Sequence, residues 1–140
     1  NSDPAWLLNG TLFFGGYLKW ESFEYDHNKT FQRFLRQLSG VPAPVTFVSG
    51  DIHFSELMEI EPEILGYKTY EYVSSSIHSS TFPFLHLRAK NKRRLEASSV
   101  HNFTLFETSV DPRTREWDIH TEVLGKNLAQ SYSHHAIIKR

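Results

Sequence analysis

Residues 45–49, Val-Thr-Phe-Val-Ser, form an apolar, β-branched run that stops at Gly50, and no other stretch constrains the fold as tightly. A strand without apolar–polar alternation offers no face to water, so it suits a sheet buried on both sides. The segment before it reads as a helix. From Asn28 to Gly40, Phe31, Phe34, Leu35 and Leu38 recur at helical spacing, and Asn28 or Thr30 is placed to cap the start. Gly40 stands where a helix end favours a left-handed residue, and Pro42 and Pro44 forbid continuation. A helix followed closely by a buried strand predicts an α/β domain, mixed in α and β, with its functional loops at strand ends.

The flanks add detail. Residues 5–18 are apolar but broken by Gly10 and the pair Gly15-Gly16 into short extended pieces or tight turns. Residues 56–63 and 67–76 alternate well enough to be two strands joined through Ile64-Leu65-Gly66. Residues 74–99 read as irregular, and the basic run at 88–94, Arg-Ala-Lys-Asn-Lys-Arg-Arg, reads as a solvated loop. Residues 101–111 and 116–125 straddle the turn Pro112–Arg115 and read as a hairpin, whereas 129–140, with His134-His135, show no pattern.

Lys plus Arg number 15 and Asp plus Glu 16, so a net charge of −1 points to neither nucleic acid nor an anionic membrane. The basic run also lacks the interleaved aromatics that stacking on single strands requires, so no nucleic-acid binding is expected from it. No apolar run is long enough to cross a bilayer as a helix. Without cysteine, disulfides and thiolate sites are excluded. The opening Asn-Ser-Asp-Pro, with neither an initiator Met nor a signal pattern, reads as a cut through a longer protein.

Chemistry concentrates just past the central strand. Asp51 and His53 are two residues apart, and in extended backbone residues at that spacing project to the same side. A carboxylate and an imidazole converging at a strand end suit a metal of the iron, manganese or zinc type, or a general acid–base pair. Gly50 lets the chain turn sharply or lets something approach its backbone. The same residues also suit an Asx turn at Asp51 with His53 packed beside it. Ser74, Ser75, Ser76 and His78 raise a serine-nucleophile reading, but the Gly-x-Ser-x-Gly elbow is missing.

Three blocks together resemble the C-terminal part of the alkaline phosphatase D-like (PhoD-like) metallophosphatases, within the calcineurin-like metallophosphoesterase superfamily. They are Ser-Gly-Asp-Ile-His at 49–53, Thr-Tyr-Glu-Tyr-Val-Ser-Ser-Ser-Ile-His-Ser-Ser at 69–80, and His-Asn-Phe at 101–103; residues 13–27 are also similar to a segment in many members. The resemblance implies the C-terminal half of a four-layer α-β-β-α sandwich, with residues 1–140 as one portion of a single domain whose N-terminal half is absent and would be its partner. It implies a phosphate ester substrate, hydrolysed at a two-metal centre that activates water.

Residue by residue, the resemblance puts Asp51 and His53 on the metal centre. Asp51 stands where most of the superfamily carries a histidine, and a hard carboxylate there leaves iron, manganese and calcium open beside zinc, as divalent or trivalent ions. His78 would bond the substrate phosphate or protonate the leaving group, with Ser76 beside it as a substrate-binding residue; a histidine among serines is equally an ordinary solvated residue. His27 lies where many members bring a further histidine, although the match is not clean and a surface role explains it more simply. Family habit implies export. With only Asp51 and His53 as convincing ligands, the chain alone is expected to be inactive and to expose a sheet edge. The alternatives are a non-catalytic binding or interaction domain derived from that fold, with Gly-Asp-Ile-His kept as a turn, and a small independent β-rich module.

Overall fold

The structure, a computed structural model, describes residues 3–15, 22–75, 77, 81 and 84–140. Five strands build its first sheet: β1 (Ala5–Leu8), β2 (Val45–Ser49), β3 (Ser55–Ile60), β4 (Thr69–Val73) and β5 (Arg94–Ser98), in the spatial order β1-β2-β4-β3-β5. β1, β2 and β4 run parallel, while β3 is antiparallel to both β4 and β5. A second, fully antiparallel sheet has the order β6 (Asn102–Val110), β7 (Trp117–Gly125), β8 (Gln130–Ile138). Among the described residues, four α-helices accompany them, α1 (Phe23–Asp26), α2 (Asn28–Ser39), α3 (Pro62–Leu65) and α4 (Leu85–Arg88), with a 3-10 turn at Lys126–Leu128. The domain is mixed α/β, and none of its helices among the described residues is long and apolar enough to cross a membrane.

Strand alternation explains how the layers stack. Phe47 of β2 points to one face, where it meets Phe13 and Phe14 at ring separations of 5.0 and 5.1 Å, and Phe14 in turn meets Phe31 of α2 at 5.1 Å. Trp6 and Tyr72 point to the other face and pack on Phe106 of β6 at 4.9 and 5.2 Å, with Trp117 of β7 5.0 Å from Trp6. The first sheet therefore has α2 on one side and the second sheet on the other, which is why four of the five residues of β2 are buried. Among the described residues, β1 has no partner on its outer side.

Several local expectations are corrected. Neither Asn28 nor Thr30 caps the main helix, because the chain arrives already turned through α1, whose start is capped by the Ser22 hydroxyl accepting from the Tyr25 amide. His27 stands at the α1–α2 junction, and the Asn28 amide side chain donates back to Glu24 O. Gly40 is right-handed, at φ −85°, and donates to Gln37 O in a tightened last turn; the left-handed glycine is Gly66, at φ +88°, closing α3. The strand expected over 56–63 ends at Ile60, where Pro62 begins α3.

Two larger corrections concern the C-terminal half. The stretch read as irregular, 74–99, contains α4 and β5. The basic run is not simply a solvated loop: Arg93 is held by Glu24 and Glu61, and Arg94 by Glu56. The stretch read as an unpatterned tail contains β8, nine residues of which eight are registered on β7, with a shift at Ser131. Its inward positions are Tyr132, His134, Ala136 and Ile138, a period-two pattern blurred by polar residues. His134 is accordingly no tail residue; its ring lies 4.7 Å from that of Tyr70 between the two sheets.

Candidate functional site

The carboxyl ends of the three parallel strands meet at one place. β1 runs out into Asn9-Gly10, β2 into Gly50-Asp51 and β4 into Ser74-Ser75. The ends stay tied by backbone bonds, from Asn9 N to Val48 O at 3.0 Å and from Ser74 N to Ser49 O at 2.9 Å. Gly50 lies where neighbouring backbones crowd: a Cβ there would sit 3.4 Å from Ser74 O and 3.6 Å from Gly10 O. The close approach that this glycine permits is therefore made by its own sheet. In sheets flanked by helices, such strand ends are where ligands bind.

Asp51 and His53 sit on the turn leaving this place, but not as adjacent residues of an extended strand. Their φ angles are +64° and +62°, so both lie in the left-handed region, and Ile52 between them is buried. The expectation that extended backbone would aim both side chains to one side is corrected accordingly. Left-handed backbone costs a non-glycine residue of the order of 1–2 kcal/mol, so two such residues flanking one buried isoleucine mark a turn that the surroundings impose. Part of that imposition is visible: the His53 amide donates to the Ser75 hydroxyl at 2.9 Å, pinning the β2 exit to the β4 exit. Asp51 is exposed and His53 half-buried.

No protein-family model, curated protein or solved structure matches the chain.

A carboxylate oxygen and an imidazole nitrogen are donors that fit iron, manganese or zinc, and the carboxylate also fits calcium. Two donors alone do not make up a coordination shell. Among the described residues, no group of three or more His, Cys, Asp or Glu side chains is arranged to hold a metal ion. Ser76 and His78 lie outside the described residues. His27 is exposed at the start of α2 with its ring 5.7 Å from Phe23, and His134 lies between the sheets.

Beneath the strand ends lies a further acid, whose signal in the sequence is a lone charge inside an apolar strand. Glu71, a lone acid in the strand Thr-Tyr-Glu-Tyr-Val, is fully buried. One carboxylate oxygen accepts from the Phe13 amide at 2.8 Å and the Ser49 hydroxyl at 2.6 Å; the other accepts from the Phe14 amide at 2.8 Å. Burial pushes Glu71 up to about 7, against the pull of these three hydrogen bonds, and the nearby Glu56 carboxylate adds to the rise.

An apolar cavity of about 380 Å³ opens beside the same region, between the end of β1 and α2, walled by Leu7, Leu8, Phe13, Phe31 and Phe34. Leu8, at the rim, is 75% exposed.

Proposed function

We propose that this chain supplies part of the catalytic centre of a metal-dependent phosphoester hydrolase of the alkaline phosphatase D-like kind. The observation that carries the reading is the left-handed turn bearing Asp51 and His53 at the joined carboxyl ends of β1, β2 and β4. Backbone strain held by hydrogen bonds at a strand-end crevice is the kind of cost that functional sites retain. The resemblance in Ser-Gly-Asp-Ile-His and Tyr-Glu-Tyr-Val-Ser-Ser supports the same assignment.

In this proposal α2, the mixed sheet and the antiparallel sheet are three layers of a four-layer sandwich that another part of the same protein completes. Asp51 and His53 hold metal ions and orient them, the remaining ligands coming from that other part. Bound ions supply Lewis acidity toward the phosphoryl oxygens and a water acidic enough to attack near neutral pH. The carboxylate of Asp51 would contribute charge and a hard donor, and the His53 imidazole a directional nitrogen. Ser76 and His78, which follow β4 in sequence, are the residues assigned to the phosphate or the leaving group.

The test is Asp51→Ala in the full-length protein. Loss of most metal-dependent phosphoesterase turnover is expected; near wild-type turnover sinks the assignment. If the unsubstituted full-length protein binds no divalent cation, the non-catalytic interaction domain takes its place.

A further inference from the structure

Glu71 holds together segments that are far apart in sequence. The loop after β1 is fixed by two consecutive amides, Phe13 N and Phe14 N, each 2.8 Å from one of its carboxylate oxygens. The end of β2 is fixed by the Ser49 hydroxyl at 2.6 Å. Ser49 immediately precedes Gly50 and Asp51, so the carboxylate joins the two sides of the strand-end crevice from below. Among the described residues, no cation pairs with Glu71. Glu56 of β3 faces the same side, but Arg94 of β5 is committed to it. Arg93 lies over the Phe14 ring at 5.4 Å, but Glu24 and Glu61 hold its guanidinium. The α1–α2 junction contributes the exposed His27, and Asp51 and His53 lie beyond Gly50.

We propose that Glu71 is a positioning residue, a buried staple whose ionisation state sets the placement of the Leu12–Gly15 loop against the Ser49–Gly50 exit. When ionised it accepts all three bonds. When protonated, the oxygen that carries the proton must donate, and the only partner able to switch to acceptor is the Ser49 hydroxyl, since an amide N–H cannot. Protonation therefore reverses the Ser49 bond and shifts the start of the turn that carries Asp51. Its rise toward neutrality through burial puts this change within reach of ordinary pH. The inference stands on these contacts and does not require the phosphoesterase reading.

The experiment is a heteronuclear NMR titration of the full chain between pH 5 and 8. It follows the Glu71 carboxyl carbon, the amides of Phe13, Phe14 and Gly50, and the His53 ring carbons separately. The expected result is a single midpoint shared by the Glu71 carbon and the three amides. In Glu71→Gln that shared titration disappears while the variant stays folded. One of the two Phe amides then exchanges at least tenfold faster, because an amide side chain offers only one oxygen to two donors. Ser49→Ala tests the link without removing the carboxylate: the bond that reverses is then missing in both ionisation states, so the Gly50 amide stops titrating with the Glu71 carbon. The staple is overturned if the three amides do not titrate in the wild type, if they follow the His53 ring instead, or if the Gly50 amide still titrates with the Glu71 carbon in Ser49→Ala.

Discussion

Arg94 on β5 donates to the carboxylate of Glu56 on β3, a side chain with no solvent exposure. The same guanidinium also donates to the carbonyls of His86 and Ala89, and Asn91 adds a bond to Glu56 at 3.0 Å. A run that reads as a surface charge cluster thus closes one edge of the sheet.

Removing Arg94 leaves Glu56 buried without its cation. Arg94→Ala is expected to cost about 3–5 kcal/mol, against roughly 0.5 kcal/mol or less for Arg88→Ala, an exposed member of the same run. Urea unfolding of the two variants side by side measures the difference, and equal midpoints would remove Arg94 from the structural account.

Arg93 engages two acids at once. Its Nε reaches both oxygens of Glu61 at 2.9 Å, and one terminal nitrogen reaches Glu24 at 2.8 and 2.9 Å. A lysine keeps the charge but cannot present this fork, so Arg93→Lys should lose about 1–2 kcal/mol. In a double-mutant cycle, adding Glu24→Gln to Arg93→Lys should cost less than Glu24→Gln alone; strict additivity would show that the pair does not act together.

Stability should carry two pH signatures of opposite sign. Glu71 has a raised folded-state value, about 7 against an ordinary 4.5, so the native state holds its proton more tightly than the unfolded chain does. Its contribution is fully present below pH 4.5 and is lost as the pH rises toward 7, by up to about 3 kcal/mol. His134 is depressed below its ordinary 6.5, chiefly by burial, with His135 adding to the fall. Its contribution is present above pH 6.5 and is lost as the pH drops below that value. Chemical unfolding of wild type, Glu71→Gln and His134→Phe from pH 4.5 to 8 separates the two. Parallel curves for wild type and Glu71→Gln would contradict the first signature, and parallel curves for wild type and His134→Phe the second.

The left-handed turn offers a test of its purpose. At φ +62°, His53 should be relieved by glycine, which adopts that conformation freely but has more entropy to lose on folding. His53→Gly is expected to be as stable as wild type or up to about 1 kcal/mol more so, while the full-length protein loses metal affinity. Thermal unfolding and metal retention after dialysis read the two effects. A variant that is markedly less stable and still retains metal would show that the turn serves folding alone.

The segments legible in the sequence are those whose burial is governed by a single period. α2 reads from Phe31, Phe34, Leu35 and Leu38, β2 from its unbroken apolar run, and the β6–β7 hairpin from its turn. β8 is hard to read because half of its inward face is Tyr132 and His134, polar-tipped residues that are buried only against the other sheet, where His134 meets the Tyr72 hydroxyl. β5 escaped because it opens with Arg94, a charge that becomes a sheet residue only once Glu56 is beside it. Position at a strand end marks Asp51 and His53, but the two-residue period of extended backbone does not aim them, because the turn they sit on is left-handed and tied to Ser75.

By itself, then, the sequence determined a mixed α/β chain, its main helix, its buried central strand and the Gly50–His53 exit as the place of interest. Only the tertiary structure decided that the exits of β1, β2 and β4 meet there, that Glu71 binds two of the segments from beneath, and that Arg93 and Arg94 of the basic run are paired with acids of other segments. The physical reason is range. Periodicity and turn chemistry act within a few residues, whereas a buried charge is stable only beside partners that the chain brings from far away, as Phe13 and Ser49 are brought to Glu71.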